Sequence, residues 1–238
     1  RRPHAAGLRG HGPVIPVVLA SQSPSRRQIL AASGIDPTVI VSEVDERAIE
    51  ESFTGSVGDL TTELSAAKAR AVVARLETMP AADLPESLRG ALTCVVIAGD
   101  SLLEHDGAAI GKPGTPERTR EIWASMAGAW TTLHSGHSLA LLDRTDLAAP
   151  FRLRDLRSQR SATSVLIGTP SPEELEAYIA TEEPFHVAGA LTIDGFGGAF
   201  VDRLDGDHLT VLGLSLPVVR DLARDMGLFW PDFWSVRD

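Results

Sequence analysis

The amino-acid sequence predicts an α/β fold, a sheet with helices packed around it. Apolar runs short enough for strands alternate with segments of helical spacing along the whole chain. Several helical segments also open on a capping residue or a first-turn proline. Size agrees, because 238 residues with 43% hydrophobic composition can bury a substantial core in one large domain or two lobes.

The elements follow in order. A strand is expected over 14–20, then a helix over 24–33 in which Ser23 is the N-cap and Pro24 takes the first position, where a missing N–H costs nothing. Val39-Ile40-Val41-Ser42 reads as a short buried strand within 38–42. A long helix near 60–78 places Leu60, Leu64, Ala67 and Ala71 on one face, with Lys68 beside it. Met79 to Pro85 breaks the pattern and reads as a loop. A strand over 92–98 leads to a hairpin turning at His105-Asp106-Gly107, since Asp-Gly accepts the positive φ angles of tight turns.

Thr115 and Pro116 start a helix to about Ala127. Residues 130–142 and 162–168 read as a strand pair, and the Arg- and Asp-rich stretch from Asp143 to Arg160 reads as a solvated loop between them. Ser171-Pro172-Glu173-Glu174 is a capping box opening a helix to about Ala180. A glycine-dense segment, 189–198, leads into a strand over 199–204, and a final helix begins near Leu216-Pro217. Residues 1–13 read as a flexible extension, 14–228 as the folded domain and 229–238 as an aromatic tail covering apolar surface.

Composition excludes some classes of function. A net charge of −10 disfavours nonspecific binding to nucleic acid or anionic membrane, so an anionic substrate would need a local basic pocket. No apolar stretch approaches the roughly 18 residues of a membrane span, and the basic N-terminal residues lack the apolar segment of a secretory signal. Cys94 is the only cysteine and reads as an inert core thiol, which suits a reducing cytoplasm. The histidines show no metal-ligand spacing; His134 and His137, three apart in an expected strand, should point to opposite faces.

The most informative stretch is Ser21-Gln22-Ser23-Pro24-Ser25-Arg26-Arg27. A capped helix start presents free N–H groups to an anion, whereas two arginines in the first turn oppose the helix dipole. A bound phosphate would resolve that conflict. Acids follow at other element ends: Glu43, Asp45 and Glu46 after the second strand and Asp100 after the run ending at Gly99. Lys112 sits between Gly111 and Pro113. Cleaving a triphosphate between its α and β phosphates requires in-line attack by water, cations to neutralise the leaving pyrophosphate, and a carboxylate to take a proton. Ser23 and Arg26 can hold phosphate oxygens, Lys68 and Lys112 can add charge, and Glu46 and Asp100 can coordinate a divalent metal, with Asp100 the better base. Asp45 could be a second metal ligand or a helix cap.

Four blocks in this order resemble the Maf family of nucleoside triphosphate pyrophosphatases. They are Leu19 to Arg27, Val41 to Glu46, Ile97-Ala98-Gly99-Asp100-Ser101 with Gly111-Lys112-Pro113, and Glu183-Pro184 through Ala188-Gly189-Ala190 to Ile193-Asp194-Gly195, with Lys68 between the second and third. The resemblance runs from about Val17 to about Met226. It implies a mixed twisted sheet like that of inosine triphosphate pyrophosphatases, with two lobes and a central cleft. It further implies that Asp100, Glu46 and Lys112 are catalytic, that Ser21, Ser23, Arg26, Lys68 and Lys112 bind phosphate, and that Arg26, Ser101 and Asp194 set specificity. A Mg²⁺, Mn²⁺ or Co²⁺ ion at Glu46 and Asp100, a nucleoside triphosphate substrate, no nucleic-acid or membrane partner, a homodimer and a cytoplasmic location complete the expectation.

Three positions depart from the commoner family pattern: Ser25 stands where an arginine is usual, Val187 where lysine is usual and Asp194 where glutamine is usual. An ionised aspartate only accepts, so Asp194 is expected to favour a base edge rich in donors. Two other readings are a nucleotide-binding regulator of septation with little turnover and a pyrophosphatase of the inosine triphosphate type.

Overall fold

The computed structural model describes residues 13–235. In chain order the elements are β1 (Val17–Leu19), α1 (Pro24–Ala32), β2 (Thr38–Val39), α2 (Glu46–Ser52), α3 (Val57–Thr78), α4 (Glu86–Arg89), β3 (Thr93–His105), β4 (Ala108–Ile110), α5 (Pro116–Met126), β5 (Trp130–Asp143), β6 (Arg152–Ile167), α6 (Pro172–Ile179), β7 (Val201–Asp205), α7 (His208–Leu212) and α8 (Leu216–Asp225). Among the described residues the strands form one mixed, seven-stranded sheet in the order β2-β1-β3-β5-β6-β7, with β4 paired to β3. β1 runs parallel to β2 and β3, whereas β3-β5, β5-β6 and β6-β7 are antiparallel.

Period-two alternation sorts the core. Cys94, Val96 and Ala98 of β3 join Val18, Ala20, Ala140 and Leu142 against Ala69, Val72, Val73 and Leu76 of α3. Their neighbours Val95 and Ile97 join Val17, Leu19, Leu139 and Leu141 against Ile29 and Leu30 of α1 and Val219, Leu222 and Ala223 of α8. A third cluster gathers Leu103, Leu133, Val165 and Ile167 with Ile122, Trp123 and Met126 of α5 and Tyr178 of α6. Cys94 is buried in the first cluster, and desolvation pushes its thiol up to about 12, so it is an unreactive core residue.

The local start signals act as the sequence indicates. Ser23, Thr115 and Ser171 cap α1, α5 and α6, each with proline in the first turn, and Ser171 and Glu174 complete a capping box. Asp106 and Gly107 both take positive φ, 50° and 77°, in the turn between β3 and β4.

Four expectations are corrected. The stretch from Asp143 to Arg160 is not one solvated loop: Arg152 onward belongs to β6, paired to β5 from Arg152 to Leu166. Its charges mark an exposed face and pair locally, Arg154 with Asp143 at 3.1 Å and Arg160 with Asp59 at 2.9 Å, while the backbone ladder is made with β5. The expected strand over 38–42 shrinks to Thr38–Val39. The strand expected to end at 98 continues to His105, which places Asp100 inside β3 and not beyond it. The buried face of α3 runs through Gly58, Thr61, Leu64, Ser65, Lys68, Ala69, Val72 and Leu76, so Lys68 lies within that face.

The aromatic tail is tied to the core through Phe233, with Trp230 half-buried against it and Phe229 and Trp234 exposed. Phe233 is 1% exposed, the Ile15 N–H donates to the Asp232 carbonyl at 2.8 Å, and the Ser235 N–H donates to Gly34 at 2.7 Å. The expected extension lies, but for Pro13, outside the described residues. No helix among the described residues is long and apolar enough to cross a membrane.

Candidate active site

The site forms where β1 and the centre of β3 meet the start of α1. At the α1 terminus the Arg26 N–H donates to Ser23 Oγ at 3.4 Å, the N-cap bond foreseen from the sequence. The Arg26 side chain does not stay by the helix dipole. It turns into the protein, 9% exposed, and donates from Nη1 to Ser21 Oγ at 3.0 Å, from Nη2 to Ser101 Oγ at 3.2 Å and from Nε to the Gly213 carbonyl at 2.8 Å. A guanidinium has five N–H groups, so two remain for a ligand. Burial lowers the Arg26 pKa from its ordinary value, and Asp100 and Glu46 act against that shift.

Two glycines make the room this arginine needs. A Cβ on Gly99 would lie 2.9 Å from Arg26 Nε. Gly213, with φ at +99°, is in a conformation side chains rarely adopt, and a Cβ there would press on Ser101 and Arg26.

The carboxylates come from the other side of the sheet. Asp100 follows the alternation of Val96 and Ala98 toward α3, where Lys68 Nζ reaches its Oδ1 at 2.6 Å and Glu46 Oε1 at 3.0 Å. Asp100 and Lys68 are 7% and 8% exposed. Desolvation raises the Asp100 pKa, and the Lys68 and Arg26 charges pull it back. Glu50, one turn after Glu46 on α2, is also raised, by burial first and then by Asp100 and Glu46.

Ser21, Ser23, Arg26, Glu46, Lys68, Asp100 and Lys112 all line one cleft of about 850 Å³. Its remaining wall includes Val187, Leu191, Ile193 and Leu212. Ser101 touches Arg26 from beneath. Asp194 is placed differently: its Oδ2 accepts from Ser25 Oγ at 2.8 Å and its Oδ1 from Thr192, and it lines a small neighbouring groove and not this cleft. Two departures from the family pattern, Ser25 and Asp194, are therefore bonded to each other. Asp45 is the N-cap of α2, accepting from the Ala48 N–H at 3.1 Å. Among the described residues no group of three or more His, Cys, Asp or Glu side chains is arranged to hold a metal ion, and Lys68 bridges the two nearest carboxylates.

His186, in the loop from Glu183 to Gly189, lines the cleft as well, and so does Glu50, which was not anticipated as a site residue. Glu50 had a signal, its spacing of four from Glu46, which only becomes visible once α2 is known to be a helix.

Comparison with known proteins follows the same residues. A family profile described as Maf-like protein matches residues 16–226. A protein of Nocardia farcinica named nucleoside triphosphate pyrophosphatase is 45% identical over 220 residues, covering 92% of this chain and 96% of that protein. Proteins of the same name from Saccharopolyspora erythraea and from Mycobacterium sp. (strain JLS) are each 42% identical over 92% of this chain, and the matches span 96% and 98% of their own lengths. A solved structure of the Staphylococcus aureus Ham1 protein covers 64% of this chain and 72% of its own at 13% identity and a TM-score of 0.33, too slight a likeness to carry an argument. The four sequence blocks meet around one cleft and the profile spans nearly the whole chain, so the chain belongs to the Maf-like protein family.

Proposed function

We propose that this chain hydrolyses nucleoside triphosphates to nucleoside monophosphate and pyrophosphate. The observation that carries the reading is the pairing across one cleft of a buried, triply held Arg26 at a helix start with a buried Asp100 held by Lys68. The triphosphate meets the free N–H groups of Arg26, the Ser23 region and the α1 terminus, with Lys112 adding charge from the exposed loop after β4. The apolar wall of Val187, Leu191 and Leu212 suits the face of a base.

Asp100 acts as the proton acceptor. Its Oδ1 is held by Lys68, so Oδ2 is left to face water. Burial raises its basicity, and the Lys68 and Arg26 charges act against that rise. As water oxygen bonds to the α phosphorus, the bond from that phosphorus to the bridging oxygen breaks, the water proton passes to Asp100 and pyrophosphate leaves. Glu46 and Asp100 are the carboxylates that would hold a divalent cation, which would neutralise charge on the leaving pyrophosphate, and Lys68 would have to give up its place between them.

The test is a panel of common and modified nucleoside triphosphates with Mg²⁺, Mn²⁺ or Co²⁺, scored for pyrophosphate against phosphate. Equimolar monophosphate and pyrophosphate are expected. Release of phosphate with a diphosphate product, or no turnover with any member, would overturn the reading.

A further inference from the structure

Two polar side chains that no catalytic step uses are completely buried in the middle of β5: Ser135 and His137, both 0% exposed. They are two apart and so leave the same face of the strand, opposite Ser101 and Gly99 of β3. Burying a hydroxyl and an imidazole is unfavourable unless both are bonded. Ser135 Oγ and His137 Nε2 each make such a bond, to one short stretch that spans α7 and its junction with α8, while His137 Nδ1 makes none. Ser135 Oγ donates to the Thr210 carbonyl at 2.8 Å, and His137 Nε2 accepts from the Ser215 N–H at 2.8 Å. Between those two anchors lies the Gly213 carbonyl that receives Arg26 Nε.

Counting protons gives the bonds a direction. A serine hydroxyl has one proton, and that of Ser135 is used on Thr210. In the 2.7 Å contact between Ser101 and Ser135, Ser101 must therefore be the donor, which leaves its oxygen to accept from Arg26 Nη2. The chain runs one way, from Arg26 through Ser101 and Ser135 to the Thr210 carbonyl, and bonds aligned in this way reinforce one another. Because His137 accepts at Nε2, its own proton is on Nδ1 and the ring is neutral, so it sets no positive charge beside Arg26.

We infer that Ser135 and His137 are positioning residues: they fix the α7-α8 junction so that Gly213 and Ser101 hold Arg26 with its two remaining N–H groups turned to substrate phosphate. The inference rests on the proposed reading of Arg26 as a phosphate contact.

The experiment measures kcat and KM with the best triphosphate of the panel, and binding of inorganic tripolyphosphate, for wild type, R26A, H137L, H137Q, S135A and the doubles R26A/H137L and R26A/S135A. H137L and S135A should raise KM and weaken tripolyphosphate by about three- to tenfold, the effect of one neutral hydrogen bond, with a smaller change in kcat. H137Q, whose side-chain oxygen can accept the same N–H, should recover most of the loss. In the R26A background neither substitution should matter further, because the group being positioned is gone. Wild-type kinetics and tripolyphosphate binding in both H137L and S135A would overturn the inference, as would an equal loss with and without Arg26. If H137L does not fold, S135A and its double carry the test alone. A wild-type enzyme that turns over with R26A unaltered would instead refute the phosphate role of Arg26, and no turnover by wild type would refute the functional reading.

Discussion

Mild acid should loosen this protein through one buried imidazole. His137 is pushed down to about 4 from an ordinary 6.5, by burial first and by the Arg26 charge second, against smaller opposing effects of the Gln159 backbone and Asp207. The folded state therefore keeps His137 neutral at pH values where the unfolded chain has already bound a proton. Stability from this group is complete above pH 6.5 and falls as the pH drops toward 4, because the unfolded state takes up more protons across that window. The gap between the two values corresponds to about 3 kcal/mol, a large share of the roughly 5–15 kcal/mol that keeps a domain folded. The physical event is a clash of donors: a proton on Nε2 would face the Ser215 N–H that this nitrogen accepts. Urea unfolding of wild type and His137→Gln at pH 7.5, 6.5, 5.5 and 4.5 would measure it. Asp146 and Glu176 are held below the usual carboxylate range and also lose stabilisation in acid, so the quantity of interest is the difference between the two proteins. That difference should shrink by about 2–3 kcal/mol between pH 7.5 and 4.5. Parallel stability curves would show that His137 is not titrating as a buried neutral ring.

Asp100→Asn should lower turnover by about 10²- to 10⁴-fold while leaving the fold intact by circular dichroism, since the amide keeps the shape and loses the proton acceptor. Lys112→Ala should weaken triphosphate binding by about 1.5–3 kcal/mol and monophosphate binding by less, measured by calorimetry with both ligands. Gly136→Ala should destabilise by about 1–3 kcal/mol or more and reduce kcat, because a Cβ there would lie 2.1 Å from the Thr61 carbonyl oxygen and push α3, with Lys68, away from Asp100. Asp194→Gln should leave the rank order of bases unchanged, because the carboxylate is engaged by Ser25 and Thr192 outside the main cleft; a reordered panel would show that position 194 turns to the base.

The parts of the fold that were legible in the sequence are those whose cause is local. Ser23 and Pro24, Ser171 and Glu174, and Asp106-Gly107 each act on their own backbone within three residues, and each behaves as its residue types dictate. What could not be read depended on partners distant in sequence. Thr61, Ser65 and Lys68 face inward because they meet Gly136, Ser138 and Asp100 across the sheet, Ser65 bonding Ser138 at 2.8 Å, so counting apolar residues on α3 misplaced its buried side. β6 looks like a loop because most of its residues from Arg152 to Arg160 are exposed, although its backbone pairs with β5 on both sides of a bulge at Arg154. α2 buries no residue and offers no apolar stripe to find. The charged members of the site were legible as chemistry; the glycines and serines that orient Arg26 carry no signal until the strands are aligned.

The alternation of β3 gives this enzyme a mutational geography. Asp100 and Ser101 are adjacent in the chain yet address different helices, one meeting Lys68 of α3 and the other Arg26 of α1. A library confined to Ser25, Ser101 and the turn at Thr192 would alter how the α1 start and Arg26 are held while the proton-handling pair stays untouched on the opposite face. A single inserted or deleted residue in β3 before Asp100 would do the reverse, exchanging the two environments at once and removing both functions together.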